Sequence, residues 1–171
     1  MLKLFGILCI VGGCSGIGWY AVSGYATRIH VLQELEQSLQ FLYGEISYSV
    51  CDMVELMEKL SVRGGFFEDF WSGLQGLLGQ HTGQPFFAYW KSQMPKIKGY
   101  QYLTAEDRLL IEKIGGNLGN LDRQTQLETI RLFQKRLEGI IGQASGEYRG
   151  KAKVSMVLGV TAGLFLAILL I

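Results

Sequence analysis

Two long uncharged runs, one at each end of the chain, limit what it can fold into more than anything between them. The C-terminal run, VSMVLGVTAGLFLAILLI from Val154 to Ile171, carries no charge over eighteen residues. As a helix rising 1.5 Å per residue it spans roughly 27 Å, close to the ~30 Å hydrocarbon thickness of a bilayer. A core helix in a small soluble domain keeps one polar face. Here only Ser155 and Thr161 are polar, and a helix can satisfy both hydroxyls with its own carbonyls. Lys151 and Lys153 stand just before the run, where their stems can snorkel toward headgroups.

The N-terminal run, Leu4 to Thr27, is uncharged for twenty-four residues between Lys3 and Arg28, with Trp19, Tyr20 and Tyr25 toward one end. Aromatic rings favour that interfacial position. The apolar stretch is long for a cleaved signal peptide. Val11-Gly12-Gly13-Cys14 fits a lipidation box only loosely, since apolar sequence continues through Cys14. Residues 1–27 and 154–171 are therefore expected to be transmembrane helices held by the lipid bilayer, with residues 28–153 forming one domain between them.

Orientation follows from basic residues beside the runs. Arg28, Arg149, Lys151 and Lys153 lie on the domain side, against Lys3 alone on the other. The positive-inside rule places the domain in the cytoplasm. All fifteen acidic residues and all sixteen basic ones except Lys3 fall in that domain. It is thus nearly neutral, and charge gives no argument for nucleic-acid binding. Cys9, Cys14 and Cys51 make no disulfide framework.

Helical periodicity dominates the domain. Leu32, Leu35, Leu39, Leu42 and Ile46 recur at spacings of 3 and 4, a stripe along one helix face. No proline precedes Gln84, so the first apolar run can continue into this helix, with Gly24 as the natural bend. Asp52 with Glu55 reads as a capping box for a helix through Leu60, ended by Arg63-Gly64-Gly65. FFEDFWSGLQGLLGQ follows as a third helix, and QPFFAYWKSQM as a fourth with Pro85 in its first turn. Thr104 with Asp107 opens a fifth, with Leu109, Leu110, Ile114 and Leu118 as its apolar positions. The glycines of GGNLGNLDRQTQ, Gly115 to Gln126, loosen its end. Asp122 is placed to cap a final helix that turns Leu127, Ile130, Phe133, Leu137 and Ile141 inward and can continue into the C-terminal run. No useful β-alternation appears. The expected fold is all-α, a membrane hairpin whose two spans flank a cytoplasmic antiparallel helical bundle.

Catalytic and metal chemistry finds little support. GGNLGN is followed by Leu121 and Asp122, where a phosphate loop needs Lys and then Ser or Thr. His30 and His81 have no Cys or His at ligand spacing. Glu68-Asp69 and Glu106-Asp107 are adjacent carboxylates that diverge on a helix, as solvated faces or caps do. No catalytic, metal or cofactor-binding residue is therefore assigned. In the spans, Gly12 with Gly16 and Gly159 with Gly163 form small-xxx-small faces, serving close packing between the spans or homo-oligomerisation, or reflecting the ordinary glycine content of such helices.

Arg123 and Gln126 fall in the first turn of the final helix without an evident capping role, and a cation there opposes the helix dipole. That makes Arg123 a candidate contact for a partner's acidic patch or a neighbouring helix. An ion pair with Glu106 or Asp107 is the alternative.

The opening Met1-Leu2-Lys3-Leu4, the leucine stripe leading into Glu45-Ile46-Ser47-Tyr48, and the pattern Leu103…Glu106-Asp107…Leu110…Gly115…Leu118-Gly119…Asp122-Arg123…Gln126 together resemble the stage III sporulation protein AB family over the whole chain. Ser49-Val50-Cys51-Asp52 replaces the proline that family often carries before its next helix. The resemblance implies a part of the transenvelope complex joining mother cell and engulfed forespore, similar to the cytoplasmic domain of type II secretion and type IV pilus platform proteins. It implies an integral protein of the mother-cell membrane facing the forespore. The implied partners are a cytosolic secretion-type ATPase resembling stage III sporulation protein AA, together with other membrane components of the channel. On that reading Glu45, Tyr48, Arg123 and Gln126 are the candidate partner interface and Asp122 a helix cap. A membrane-anchored enzyme whose site forms only in three dimensions, and a general membrane adaptor unrelated to secretion, are the competing expectations.

Overall fold

A computed structural model describes the backbone of residues 2–48, 52–80, 83–118 and 122–170, and the side chains of residues 23–48, 52–80, 83–118, 122–158, 161 and 165. Six α-helices follow in chain order among them: α1 (Leu2–Tyr48), α2 (Met53–Ser61), α3 (Glu68–Gly79), α4 (Phe86–Gln93), α5 (Ala105–Leu118) and α6 (Arg123–Leu170). Short 3₁₀ turns at Met94–Lys96 and Tyr100–Tyr102 join α4 to α5, and no strand occurs among the described residues. The chain divides into two compact units, residues 1–29 with 142–171, and residues 30–141.

In the unit of residues 30–141 the leucine stripe is the spine of the core. Leu32, Leu35, Leu39 and Leu42 are buried, together with Leu56, Met57 and Leu60 of α2 and Phe70, Trp71 and Leu74 of α3. On α5, Leu110, Ile111, Ile114 and Leu118 are buried in the core, whereas Leu109, expected among the apolar positions, is 52% exposed. Consecutive helix positions point about 100° apart, and the stripe centred on Leu110, Ile111 and Ile114 leaves Leu109 beyond its edge.

Trp90 of α4 is the centre of an aromatic cluster. Its ring meets Phe70 edge-on at 4.9 Å and Trp71 at 5.7 Å, with Phe86 at 5.8 Å. The indole N–H donates to the Ile111 carbonyl at 2.9 Å. Against that indole lies Gly115, a buried residue inside α5. Gly115 therefore does not loosen a helix end, as its glycine-rich setting suggests. It removes a side chain so that an indole can lie against the helix backbone.

Local caps set most boundaries. Asp52 accepts a hydrogen bond from Met53 N at 2.7 Å, whereas Glu55 of the expected box pairs with Lys59 at 3.2 Å. Thr104 and Asp107 form a reciprocal box: Thr104 N donates to Asp107 Oδ2 at 2.9 Å, and Asp107 N donates to Thr104 Oγ1 at 3.2 Å. Between α2 and α3, Gly64 and Gly65 take positive φ angles of 72° and 91°. The Phe66 and Phe67 N–H groups each donate to the Glu34 carboxylate at 2.9 Å. A Cβ at Gly65 would collide with that carboxylate. Glu34 of α1 thus satisfies amides at the start of α3, where Phe67 at the cap position offers no side-chain hydrogen bond.

In the other unit, Lys151 Nζ donates to Tyr25 Oη at 2.8 Å, and Thr161 Oγ1 donates back to the Val157 carbonyl at 2.9 Å. Among the described residues no helix is long and apolar enough to cross a membrane. The two expected spans fall in large part on residues whose side chains lie outside the described set, as do Gly12, Gly16, Gly159, Gly163 and Cys14. The helix of α1 continues through Gly24, where the sequence suggests a bend.

Candidate functional site

Three helix ends meet at the short stretch Asp122-Arg123-Gln124-Thr125-Gln126. Asp122 caps α6: its Oδ1 accepts from Thr125 N at 3.0 Å and its Oδ2 from Thr125 Oγ1 at 2.6 Å. The hydroxyl bond first, then the backbone bonds, holds the Asp122 carboxyl below its ordinary value of 3.8. Arg123 Nε donates to the Ile46 carbonyl at 2.8 Å, and a second guanidinium nitrogen donates to the Ser47 carbonyl. Those carbonyls belong to the last turn of α1, where orphan acceptors and the negative end of the helix dipole favour a cation. Gln126 Nε2 donates to the Leu118 carbonyl at 2.8 Å, closing the last turn of α5.

This placement changes the meaning of two candidate residues. Arg123 directs its donors to the end of α1, and the sequence alternative of an ion pair with Glu106 or Asp107 gives way to that contact. Gln126 does the same for α5. Both hold helix ends together, so their polar atoms serve the chain itself. Gly119, Asn120 and Leu121, between α5 and the cap, lie outside the described residues.

Glu45 and Tyr48 lead to a different surface. Glu45 Oε2 accepts from Lys59 Nζ at 2.8 Å, tying α1 to α2, and Lys59 also reaches Glu55. Tyr48, at the last residue of α1, is 91% exposed. An open groove of roughly 620 Å³ runs beside that ion pair, lined by Phe41, Glu45, Glu55, Glu58, Lys59 and Val62. Val62, just after α2, is 83% exposed. Arg63 folds over the Phe41 ring, its guanidinium carbon 5.0 Å from the centroid. A second, smaller cavity of about 130 Å³ lies between α1 and the Gly64-Gly65 turn, beside Glu34, Ser38 and Trp71.

Sequence reasoning missed three of these participants. Glu34 stands beside the leucine stripe, and nothing in the local spacing points to the Phe66 and Phe67 amides it binds. Val62 reads only as the approach to the Arg63-Gly64-Gly65 breaker, although an apolar residue after a helix end is a signal worth testing for exposure. Glu36 carries a clue visible only in three dimensions: burial first, and the charge of Glu138 second, push its carboxyl above the ordinary range. Among the described residues no group of three His, Cys, Asp or Glu side chains gathers as metal ligands do.

The chain's similarity to known proteins agrees with its helical architecture. A family model described as stage III sporulation protein AB matches residues 3–171. Stage III sporulation protein AB of Bacillus subtilis (strain 168) is 25% identical over 171 residues, covering 99% of each chain. A solved structure of a stage III sporulation protein AB superposes with a TM-score of 0.63 at 19% identity, over 72% of this chain and 97% of that one. At that identity the structural likeness speaks to the fold.

Proposed function

The chain belongs to the stage III sporulation protein AB family, and from that premise we propose that it is a non-enzymatic membrane platform. Family membership makes its role a sporulation role. In the proposal, residues 1–27 and 154–171 anchor it in the mother-cell membrane facing the forespore, and the bundle between them projects into the cytoplasm. There it couples a secretion-type ATPase to the envelope components of a secretion-like channel.

The observation that best supports a binding role is the mixed surface along α1 and α2. An exposed valine and a half-buried phenylalanine share an open groove with three carboxylates and one lysine. A platform needs an exposed surface of mixed character on a closed helical bundle, and that is what the groove offers. Within the segment that carries the family resemblance, Asp107, Asp122, Arg123 and Gln126 bond to helix ends, while Glu106 is exposed. We assign those four side chains to building the bundle, and recognition to the groove.

The test is membrane recruitment. A secretion-type ATPase resembling stage III sporulation protein AA, fractionated from sporulating cells, is expected with the membranes when the chain is present. It is expected in the soluble fraction when the chain is deleted. An ATPase whose distribution ignores the deletion refutes the coupling role.

A further inference from the structure

We propose that the groove between α1 and α2 receives a cationic amphipathic helix of a partner protein, with one apolar side chain of that helix seated against Val62 and Phe41. The proposal rests on the platform reading and names the chemistry of one of its partners.

The groove is built from matched faces. Glu55, Glu58, Lys59 and Val62 follow i, i+3, i+4, i+7 spacing and share one side of α2, while Phe41 and Glu45 stand one turn apart on α1. Two helices side by side make a trough whose natural filler is a third helix, read through anchors at the same spacing. The groove, roughly 620 Å³, is open to solvent, a shallow seat of the kind a docked helix covers. Val62 lies at the α2 end of the trough, 83% exposed, and exposure of a branched apolar side chain beside a concave surface marks a place where burial is still to be gained.

Charge selects the occupant. Three carboxylates line the trough against one ammonium; Lys59 is shared between Glu45 and Glu55, and Glu58 stands outside that ion-pair cluster. Arg63 lies at the margin, stacked on Phe41. Counting Arg63 beside the three carboxylates and Lys59, the rim keeps one net negative charge and offers no basic patch to an anionic membrane or a nucleic acid. Lys or Arg side chains flanking an apolar anchor do fit, with the carboxylates steering association and setting its register.

The experiment uses the full chain in phosphatidylcholine nanodiscs and two fluorescent synthetic helices. One carries Leu at the anchor positions and Lys on either side. Its twin has Glu in place of every Lys. Anisotropy titrations are read against empty nanodiscs. The cationic helix is expected to bind at least tenfold more tightly than its twin, and to weaken as salt is raised. Val62→Asp and Glu58→Lys are each expected to reduce its affinity about tenfold or more, while Leu132→Asp, at an exposed leucine of α6, leaves it unchanged. Unchanged melting temperatures for all three variants establish that the fold is intact. Equal binding of both helices, or cationic binding indifferent to Val62→Asp and Glu58→Lys, overturns the proposal. ATPase recruitment in cells is scored separately. Loss of recruitment on deletion of the whole chain sustains the platform even if the groove variants bind the cationic helix normally, so the two readings fail independently.

Discussion

Replacing Gly115 by alanine separates two effects that normally oppose each other. In an ordinary exposed helix position the change stabilises by about 1 kcal/mol, because alanine loses less backbone entropy. At Gly115 a Cβ would fall within 3.0 Å of Trp90 Cγ, Cδ1 and Cδ2, closer than real Cβ atoms come. The indole cannot simply move aside. It is packed against Phe70 and Trp71 and bonded to the Ile111 carbonyl. Overpacking a filled core costs roughly 1–3 kcal/mol, and losing the indole bond adds about 1 kcal/mol. The clash exceeds the propensity gain, for a net loss of about 1–3 kcal/mol. Gly116 is the internal control: it is exposed, and a Cβ there meets only Phe87 at an ordinary 3.6 Å. Gly116→Ala is expected to be neutral or stabilising by up to about 1 kcal/mol. Urea unfolding followed by far-UV circular dichroism measures both, with the slope m held constant as the check that only stability has changed. Two adjacent substitutions of identical chemistry should therefore differ by about 1–4 kcal/mol. If they agree within about 0.5 kcal/mol, or if Gly116→Ala is the more damaging, the indole does not rest on Gly115 as described.

Arg123→Ala removes both donors from the end of α1 and is expected to cost roughly 0.5–1.5 kcal/mol in thermal unfolding, with Arg123→Lys recovering part of it; assembly lost with no change in melting temperature would instead make Arg123 a partner contact. Glu36→Gln is expected to raise the melting temperature at neutral pH. The Glu36 carboxyl is raised in the fold, so its contribution is complete below its ordinary value of 4.5 and is lost as pH rises through the folded value; the variant's advantage should vanish in acid, and a constant advantage at every pH would contradict this. Asp122→Ala has the opposite sign: the cap's stabilisation is present above 3.8 and lost as pH falls through the lowered folded value, so wild type and variant should converge only under strongly acidic conditions, and convergence near neutral pH would remove the cap. A reporter fused after Ile171 is expected on the non-cytoplasmic side, and one inserted at Gly83 in the cytoplasm; the reverse assignment would remove the bundle from any cytosolic motor.

What the sequence made legible was local. The stripe Leu32, Leu35, Leu39, Leu42 announces its helix because its own spacing carries the period, and all four are buried. Thr104 with Asp107 could be read because both halves of the cap lie within three residues. Asp122 could be read as a cap for the same reason, its acceptor oxygens meeting Thr125 three residues on. Arg123 could be read as reaching a neighbouring helix but not to which atoms, because its acceptors are backbone carbonyls 76 and 77 residues away, and a carbonyl has no residue type to betray it. In one dimension its position breaks a local rule, a cation in the first turn of α6, only because the relevant dipole belongs to α1. Glu34 fails for the same reason, its partners being backbone amides 32 and 33 residues on.

The same distinction bears on function. A segment that looks like a recognition motif in one dimension gathers polar residues at close spacing, and so does a junction of helix ends. In the stretch from Leu118 to Gln126 the described side chains make such a junction: Asp122 serves α6, Arg123 serves α1 and Gln126 serves α5. Satisfying orphan backbone groups of three helices with three neighbouring side chains fixes where those helices stop relative to one another. Phe41 and Glu45, which line the trough, stand within two turns of the α1 end that Arg123 holds. If the groove receives its proposed helix, the junction acts on recognition through shape. Its side chains need never touch a partner for their loss to reach the surface that does.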